Sequence, residues 1–375
     1  MKEICKYDLC TGCSACFNIC PHNCITMTTD RNGELHPIVN QQRCIECGLC
    51  NKTCPVNTPP KIVQPEKCFA VWHSNHSFRE KSASGGIAAA LYLYFIQYLK
   101  GVVYGVTWNN ELQPVFHRTE SIDEIESFKG SKYVQAFIHT TYQQIKIDLK
   151  NNRYVLFIGT PCQIAGLKNF LKKDYPQLLT CDLVCHGVPP YEYFKSEIQR
   201  VSKRISKTIT HCRFRGNDKF NYHFSLWNNQ TLLLDKKGSR SYYLYGFLTS
   251  IILRESCYSC KYSTNQRIGD ITLGDFIGLG KLHTTDIQPK NISVVTINTP
   301  KAFSIWTDLI NKYPDIHFEP RPFEEAVTGG ISFRQPATRN PKRTKFLSDY
   351  KTYGWNKAIR KALWKSILRN RIKQI

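Results

Sequence analysis

YVLFIGTPCQIAGL, Tyr154 to Leu167, decides how the larger part of this chain is read. Val155 to Ile158 is a continuous apolar run, as in a strand covered on both faces. Gly159 closes it, Thr160-Pro161 makes a turn, and IAGLKNFLKK that follows has helical spacing. The pattern repeats to either side. GVVYGVTW reads as a buried strand, TYQQIKIDLKNN as a helix, LLTCDLVCHG as a strand and PPYEYFKSEIQRVSKR as a helix. SASGGIAAALYLYFIQYL reads as a helix opened by small residues. SIDEIESFKGSKYVQ reads as a helix and then a loop. HCRFRGNDKFNYHFSLWN and IGDITLGDFIGLG read as strands and hairpins. Alternating helix and strand predict a mixed α/β (α+β) domain with a partly parallel sheet. Cys162, at the mouth of a strand, is either an ordinary buried thiol or a ligand.

The composition sets bounds. With 375 residues, 42% of them hydrophobic and 21% charged, the chain is long enough for two or three folded domains and is not of the disordered class. Lys and Arg number 51 against 29 Asp and Glu, a formal charge of +22, which suits an acidic partner or an anionic surface. No helix-turn-helix or RNA-binding motif accompanies that charge, so no nucleic-acid partner is expected. MKEICKYDLC lacks the apolar core of a signal peptide, and the most apolar stretch, Ile87 to Leu99, is too short to span a bilayer. Seventeen cysteines in such a chain point to a reducing, cytoplasmic setting and to metal rather than to disulfides.

Eight of those cysteines form one pattern twice. CTGCSACFNICP carries Cys10, Cys13, Cys16 and Cys20, and CIECGLCNKTCP carries Cys44, Cys47, Cys50 and Cys54. Each reads C-x2-C-x2-C-x3-C-P, the run of bacterial two-cluster ferredoxins, in which the fourth cysteine ligates the other cluster. The expected sets are Cys10, Cys13, Cys16 and Cys54 for one 4Fe-4S cluster, and Cys44, Cys47, Cys50 and Cys20 for the second. Zinc sites use paired hooks with longer gaps. The chain therefore divides into a two-cluster ferredoxin-like domain over 1–60 and a linker in NTPPKIVQPE. A larger domain follows over 67–334, in parts of about 67–150 and 151–334, and then a basic tail over 335–375.

FKGSKYVQ, VLFIGTPCQIAGLKNFL, DLVCHGVPP and CYSCKYSTNQRIGDITLGDFIG occur in that order. Together they resemble the beta-subunit family of deazaflavin (coenzyme F-420) hydrogenases and dehydrogenases, from about Cys68 to Phe333. The resemblance implies an iron–sulfur flavoprotein oxidoreductase that binds FAD and passes electrons between clusters, flavin and a ferredoxin-type donor or small-molecule substrate. The alternative is a non-catalytic electron-transfer subunit serving a separate catalytic partner. Relatives fused to a ferredoxin module also suggest polysaccharide biosynthesis. Spacing alone leaves open whether Cys162, Cys185, Cys257 and Cys260 are buried thiols or one ligand set; the resemblance implies a third 4Fe-4S cluster. Cys5, Cys24, Cys68, Cys181 and Cys212 remain as structural thiols.

No GxGxxG is present, so a Rossmann dinucleotide site is unsupported. Ser84, Gly85 and Gly86 open a helix, which by itself means either a phosphate cradle or a plain cap. The resemblance implies that they bind FAD, together with Ser131, Lys132, Tyr133, Gly159 and Thr160, and it gives Lys129 as a further cation there. Arg215 and Lys219, with Arg213 in the same basic segment, are the expected cations near the flavin. His186, beside Cys185, would orient a thiolate, relay a proton or cap structure. Asp270 and Asp275 would satisfy backbone groups. In the tail, Trp355, Ile359, Leu363 and Ile367 recur every four residues among Lys and Arg. That basic amphipathic helix suits peripheral contact with the inner membrane face, an acidic partner, or packing on the core.

Overall fold

The computed structural model describes residues 3–215, 222–287 and 291–372. Residues 25–39 form a small hairpin, β1 (Ile25–Thr29) paired antiparallel with β2 (Leu35–Val39). Two five-residue helices, Ala15–Ile19 and Leu49–Thr53, accompany it, each entered by a left-handed residue, Ser14 at φ 59° and Gly48 at φ 71°. These turns swing the cysteine loops around.

The larger domain is built on one eight-stranded sheet. In chain order its strands are β3 (Lys67–His73), β4 (Val102–Trp108), β5 (Pro114–Thr119), β6 (Val155–Gly159), β7 (Leu178–Leu183), β11 (Ile271–Asp275), β12 (Ser293–Ile297) and β13 (Ile316–Pro320). The spatial order is β13-β3-β12-β11-β7-β6-β4-β5, so strands from both parts of the domain share the sheet. β4, β6, β7 and β11 run parallel. β3 runs with them, because it is antiparallel to β12 and β12 is antiparallel to β11. Their C-terminal ends therefore share one edge. The apolar runs are continuous because both faces are covered. Val103, Leu156 and Ile158 pack under the helix Ile87–Gln97, whereas Val102, Tyr104, Val155 and Phe157 face Thr141–Lys150 and Pro161–Leu171. Cys13 and Ala15 pack into that second core, so the ferredoxin-like domain is seated on the sheet's helical cover.

A second, antiparallel sheet holds β8 (His211–Arg215), β9 (Tyr222–Asn228) and β10 (Thr231–Lys237) in the order β10-β9-β8. With the helices Tyr191–Ile205 and Tyr242–Leu248 it encloses a third core. The tail belongs to this core. Arg343–Ile372 is two helices broken at Gly354, whose φ of 71° and ψ of −179° lie outside helical space. Trp355, Ile359, Leu363 and Ile367 are each 3% exposed or less, against Tyr193, Phe247 and Tyr243. Each such burial stabilises by roughly 1.5–3 kcal/mol. This corrects the expectation of a detached tail: the apolar face proposed for a membrane is taken up by the protein. Among the described residues no helix is long and apolar enough to cross a membrane. The linker is fixed too, since Val63 and Arg267 exchange backbone hydrogen bonds of 2.8 and 2.7 Å.

Arg343 ties the tail to the front of the molecule. It is fully buried, donates to the Ile251 carbonyl, and lies 3.3 Å from Glu34 and 3.2 Å from Glu255. Removing one partner of such a pair strands the other charge. Arg343→Met is expected to destabilise the chain by roughly 3–5 kcal/mol, read as a lower urea midpoint. Adding Glu34→Gln should recover part of that loss, and an unchanged midpoint in the single variant would contradict the pairing.

Candidate redox centre

Thr160 explains Cys162. The helix starts at Pro161, earlier than its apolar spacing suggests, and Thr160 is its N-cap in a reciprocal capping box with Gln163. Cys162 thus sits in the first turn of a helix, at the shared edge of the parallel strands, with its Sγ 3.3 Å from Thr160 Oγ1. The loop after β7 brings Cys185 to the same edge, and the turn Glu255–Ser259 brings Cys257 and Cys260. These four thiols act on one another. Burial and the charges of Cys257, Cys162 and Cys260 push the Cys185 thiol up. Burial chiefly pushes Cys162 up to about 11 and Cys257 up to about 12. Four thiols buried together resist becoming thiolates unless a metal supplies the compensating charge.

The N-terminal sulfurs group as their spacing predicts. Cys10, Cys13, Cys16 and Cys54 line one cavity, with Cys5, that encloses about 340 Å³ free of protein atoms. Cys16 is pushed up by burial and then by Cys13, Cys10 and Cys54. Cys50 interacts with Cys44 and Cys20 across the other loop, while Cys47 is exposed. Among the described residues no three His, Cys, Asp or Glu side chains draw together as tightly as a single metal ion requires. The cavity-lining set fits a cubane, whose four iron corners hold its ligands apart. Cys5 and Cys24, expected as structural thiols, stand against the ligand sets. Cys5 hydrogen-bonds with Cys10 and Cys54, and Cys24 lies 3.3 Å from Cys20.

The first cysteine set lies against the edge set. A Cβ on Gly166 would come within 3.1 Å of Cys13 Sγ and 2.9 Å of the Tyr142 hydroxyl. Glycine inside a helix costs about 1 kcal/mol relative to alanine, and here the close approach outweighs it. Tyr142 interacts with both Cys13 and Cys162, and Tyr262 with Cys162, Cys13 and Cys260. Arg254, 1% exposed, donates to the carbonyls of Cys10 and Leu35 and to Gln135 Oε1. Sequence reasoning missed these residues. Only Gly166, as an odd residue in a helix, carried a signal.

The expected flavin residues fare unevenly. Ser84 donates to the Ile292 carbonyl, and the Gly85 N–H donates to Ser293 Oγ. A Cβ at Gly85 would meet the Val71 carbonyl at 2.3 Å, so this glycine allows close backbone packing. Gly86, at φ 92°, caps Ile87–Gln97, whose first-turn N–H groups lie at the strand edge. Lys132 does not offer a free cation: its ammonium donates to the carbonyls of Ser127, Phe128, Lys129 and Gly130. Burial pushes its pKa down to about 7, a pull those carbonyls oppose. Lys129 pairs with Glu126 and lies over Phe78. The Thr160 hydroxyl is taken up by its cap, and Gly159 is buried beside Phe157 and Gln163.

Arg215 is 8% exposed. It donates from Nε to the Tyr133 hydroxyl at 2.8 Å, pairs with Asp275 and stands 4.6 Å from the Tyr222 ring. Asp275 therefore pairs with a cation, whereas Asp270 accepts from the Thr180 N–H as expected of a backbone partner. Ser131 hydrogen-bonds with Tyr133. Arg213 donates to the Glu80 carbonyl. Lys219 lies outside the described residues. His186 contacts Ser250 Oγ at 3.1 Å and the edge of Phe247, and burial pushes its imidazole pKa down, so it is neutral at pH 7.

Sheet, cysteine-lined cavity and seated front domain together define an iron–sulfur electron-transfer protein. Residues 152–318 match the family model for the C terminus of the coenzyme F420 hydrogenase/dehydrogenase beta subunit, and residues 9–58 match the 4Fe-4S dicluster domain. The chain thus carries a coenzyme F420 hydrogenase/dehydrogenase beta-subunit domain behind a 4Fe-4S dicluster domain. An uncharacterized ferredoxin of Methanocaldococcus jannaschii is 34% identical over 61 residues, which is 16% of this chain and 78% of that protein. A chain of the F420-reducing NiFe hydrogenase complex from Methanosarcina barkeri, solved as a xenon derivative, is 16% identical with a TM-score of 0.47, over 80% of this chain and 92% of that one.

Gly166→Val is expected to push Cys13 from its place. Anaerobically purified variant should contain fewer irons per chain than the parent and show an altered spectrum after dithionite reduction. Parental iron content and spectrum would mean the helix yields without moving Cys13.

Proposed function

We propose that this chain is an iron–sulfur flavoprotein oxidoreductase that accepts electrons from a ferredoxin-type donor and delivers them to a small-molecule substrate. The observation that carries this reading is contiguity: the Cys10 set meets the Cys162 set across Gly166, Tyr142 and Tyr262, at the edge where parallel strands end. In open α/β sheets that edge is the usual ligand site. In this reading Cys10, Cys13, Cys16 and Cys54 hold one 4Fe-4S cluster, and Cys20, Cys44, Cys47 and Cys50 the second. Cys162, Cys185, Cys257 and Cys260 hold a third, and FAD lies at the strand edge.

When bound, the clusters would carry single electrons and the flavin would pair them for two-electron chemistry. The chain's residues bind and orient. The N–H groups of the first turn after Gly86 receive the anionic phosphates of FAD. Arg215, fixed by Asp275 and Tyr133, sets a buried positive charge beside the ring site without needing to reorganise. Tyr142 and Tyr262 fill the space between the two cysteine sets and exclude water. The exposed loop bearing Ile45 and Cys47 is the face open to a donor. The family resemblance directs the search for the substrate to precursors of surface polysaccharides.

Anaerobic purification should give about twelve irons per chain and one flavin that dithionite bleaches. Cys162→Ala should lower this to about eight irons while the ferredoxin-type signals persist. Arg215→Gln should weaken flavin retention. About eight irons and no flavin in the parent chain would overturn the third cluster and the FAD site together.

A further inference from the structure

The far side of the molecule concentrates positive charge that the redox reading does not use. Lys236 and Lys237 end the edge strand β10, Arg240 follows in the short helical turn Gly238–Arg240, and Arg371 comes from the last turn of the tail helix. With His223 and Asp235 they line one pocket, open to solvent, of about 670 Å³. Asn370 pins the helix end there by donating to the Ser239 carbonyl at 2.9 Å.

The acids nearby are already engaged. Asp235 lies 3.1 Å from His223 and accepts from Ser225. Glu197 takes both arms of Arg200, at 2.8 and 2.6 Å, and the Trp355 indole N–H. Burial, and then the like charges of Arg204, Arg200 and Arg371, lower the pKa of Lys236. The Nε of Arg240 is buried and has no hydrogen-bond partner within the protein. An unpartnered buried guanidinium N–H costs about 1–3 kcal/mol. Converging cations destabilise the fold further unless an anion joins them.

We propose that this pocket binds a phosphate group, held by Lys236, Lys237, Arg240 and Arg371. Phosphate supplies several acceptor oxygens and up to two negative charges, which match a guanidinium fork and ammonium groups converging from two elements. Two sources offer that chemistry, a soluble phosphorylated molecule and the headgroup of an acidic phospholipid. The neighbouring helix surface bears on the second. Trp364, Leu368 and Ile372 stand 49%, 47% and 63% exposed at four-residue spacing, on a face opposite the buried seam and among Lys357, Lys361 and Lys365.

The test measures binding and needs no turnover. The full chain is titrated by calorimetry with pyrophosphate at fixed ionic strength, and separately floated with vesicles of phosphatidylglycerol or of phosphatidylcholine. Arg371→Gln, at an exposed helix end, removes one ligand with little risk to folding; Arg240→Gln is the second variant. Pyrophosphate binding that weakens by about tenfold or more in both variants supports a site for soluble phosphates. Flotation with phosphatidylglycerol alone, lost in both variants without pyrophosphate binding, supports a headgroup site. Absence of both kinds of binding, or binding that neither substitution weakens, overturns the proposal.

Discussion

Arg254 holds the two halves of the molecule in register. Its guanidinium is buried, and its hydrogen bonds go to the Cys10 and Leu35 carbonyls of the front domain and to Gln135 of the larger one. Its own backbone N–H donates to Val188, three residues past Cys185, and its carbonyl accepts from the Cys257 N–H. One residue thus fixes the Cys10 loop, the Cys185 loop and the Cys257 turn at once. A charge taken out of water costs several kcal/mol unless its donors are satisfied, and that penalty makes any slippage between the domains expensive. Gln135 reinforces the joint by donating to the Thr11 carbonyl, and Asn18 and Asn169 add bonds on either side.

Close approach is the second constraint. Gly166 lets Cys13 reach the helix that begins with Cys162, and Gly12 leaves room for Gln135 and Arg254. Neither position tolerates a side chain without movement of a cysteine loop. The distance between the two cysteine sets is therefore set by backbone packing, which is stiffer than contact between side chains. The edge where the parallel strands end is equally crowded. Ser84, Gly85, Lys132 and Thr160 are used by the fold itself, which leaves backbone N–H groups and the Arg215–Asp275–Tyr133 group as the available polar features.

Charge is distributed unevenly around this frame. The buried pairs Arg267–Asp182 and Arg343–Glu34 neutralise the interior, at 3.0 and 3.3 Å. Much of the surplus behind the +22 lies instead on the tail helix and the end of the β9–β10 hairpin. Packing of the tail's apolar seam brings those two basic segments together, although they are more than a hundred residues apart in the chain.

The amino-acid sequence determined the features that depend on local spacing. Two C-x2-C-x2-C-x3-C-P runs impose loops that converge sulfurs, and apolar runs alternating with helical periods impose a mixed sheet under helices. Cys162, Cys185, Cys257 and Cys260 could be singled out, but their gathering depends on β6, β7 and β11 lying side by side. Tertiary structure alone decided the rest. Which face of the tail is buried, which lysine is consumed by carbonyls and which arginine joins the domains all depend on partners distant in sequence. Arg254 and Glu34 looked like ordinary charges because the cost of burying them, and the groups that offset it, exist only once the chain is folded.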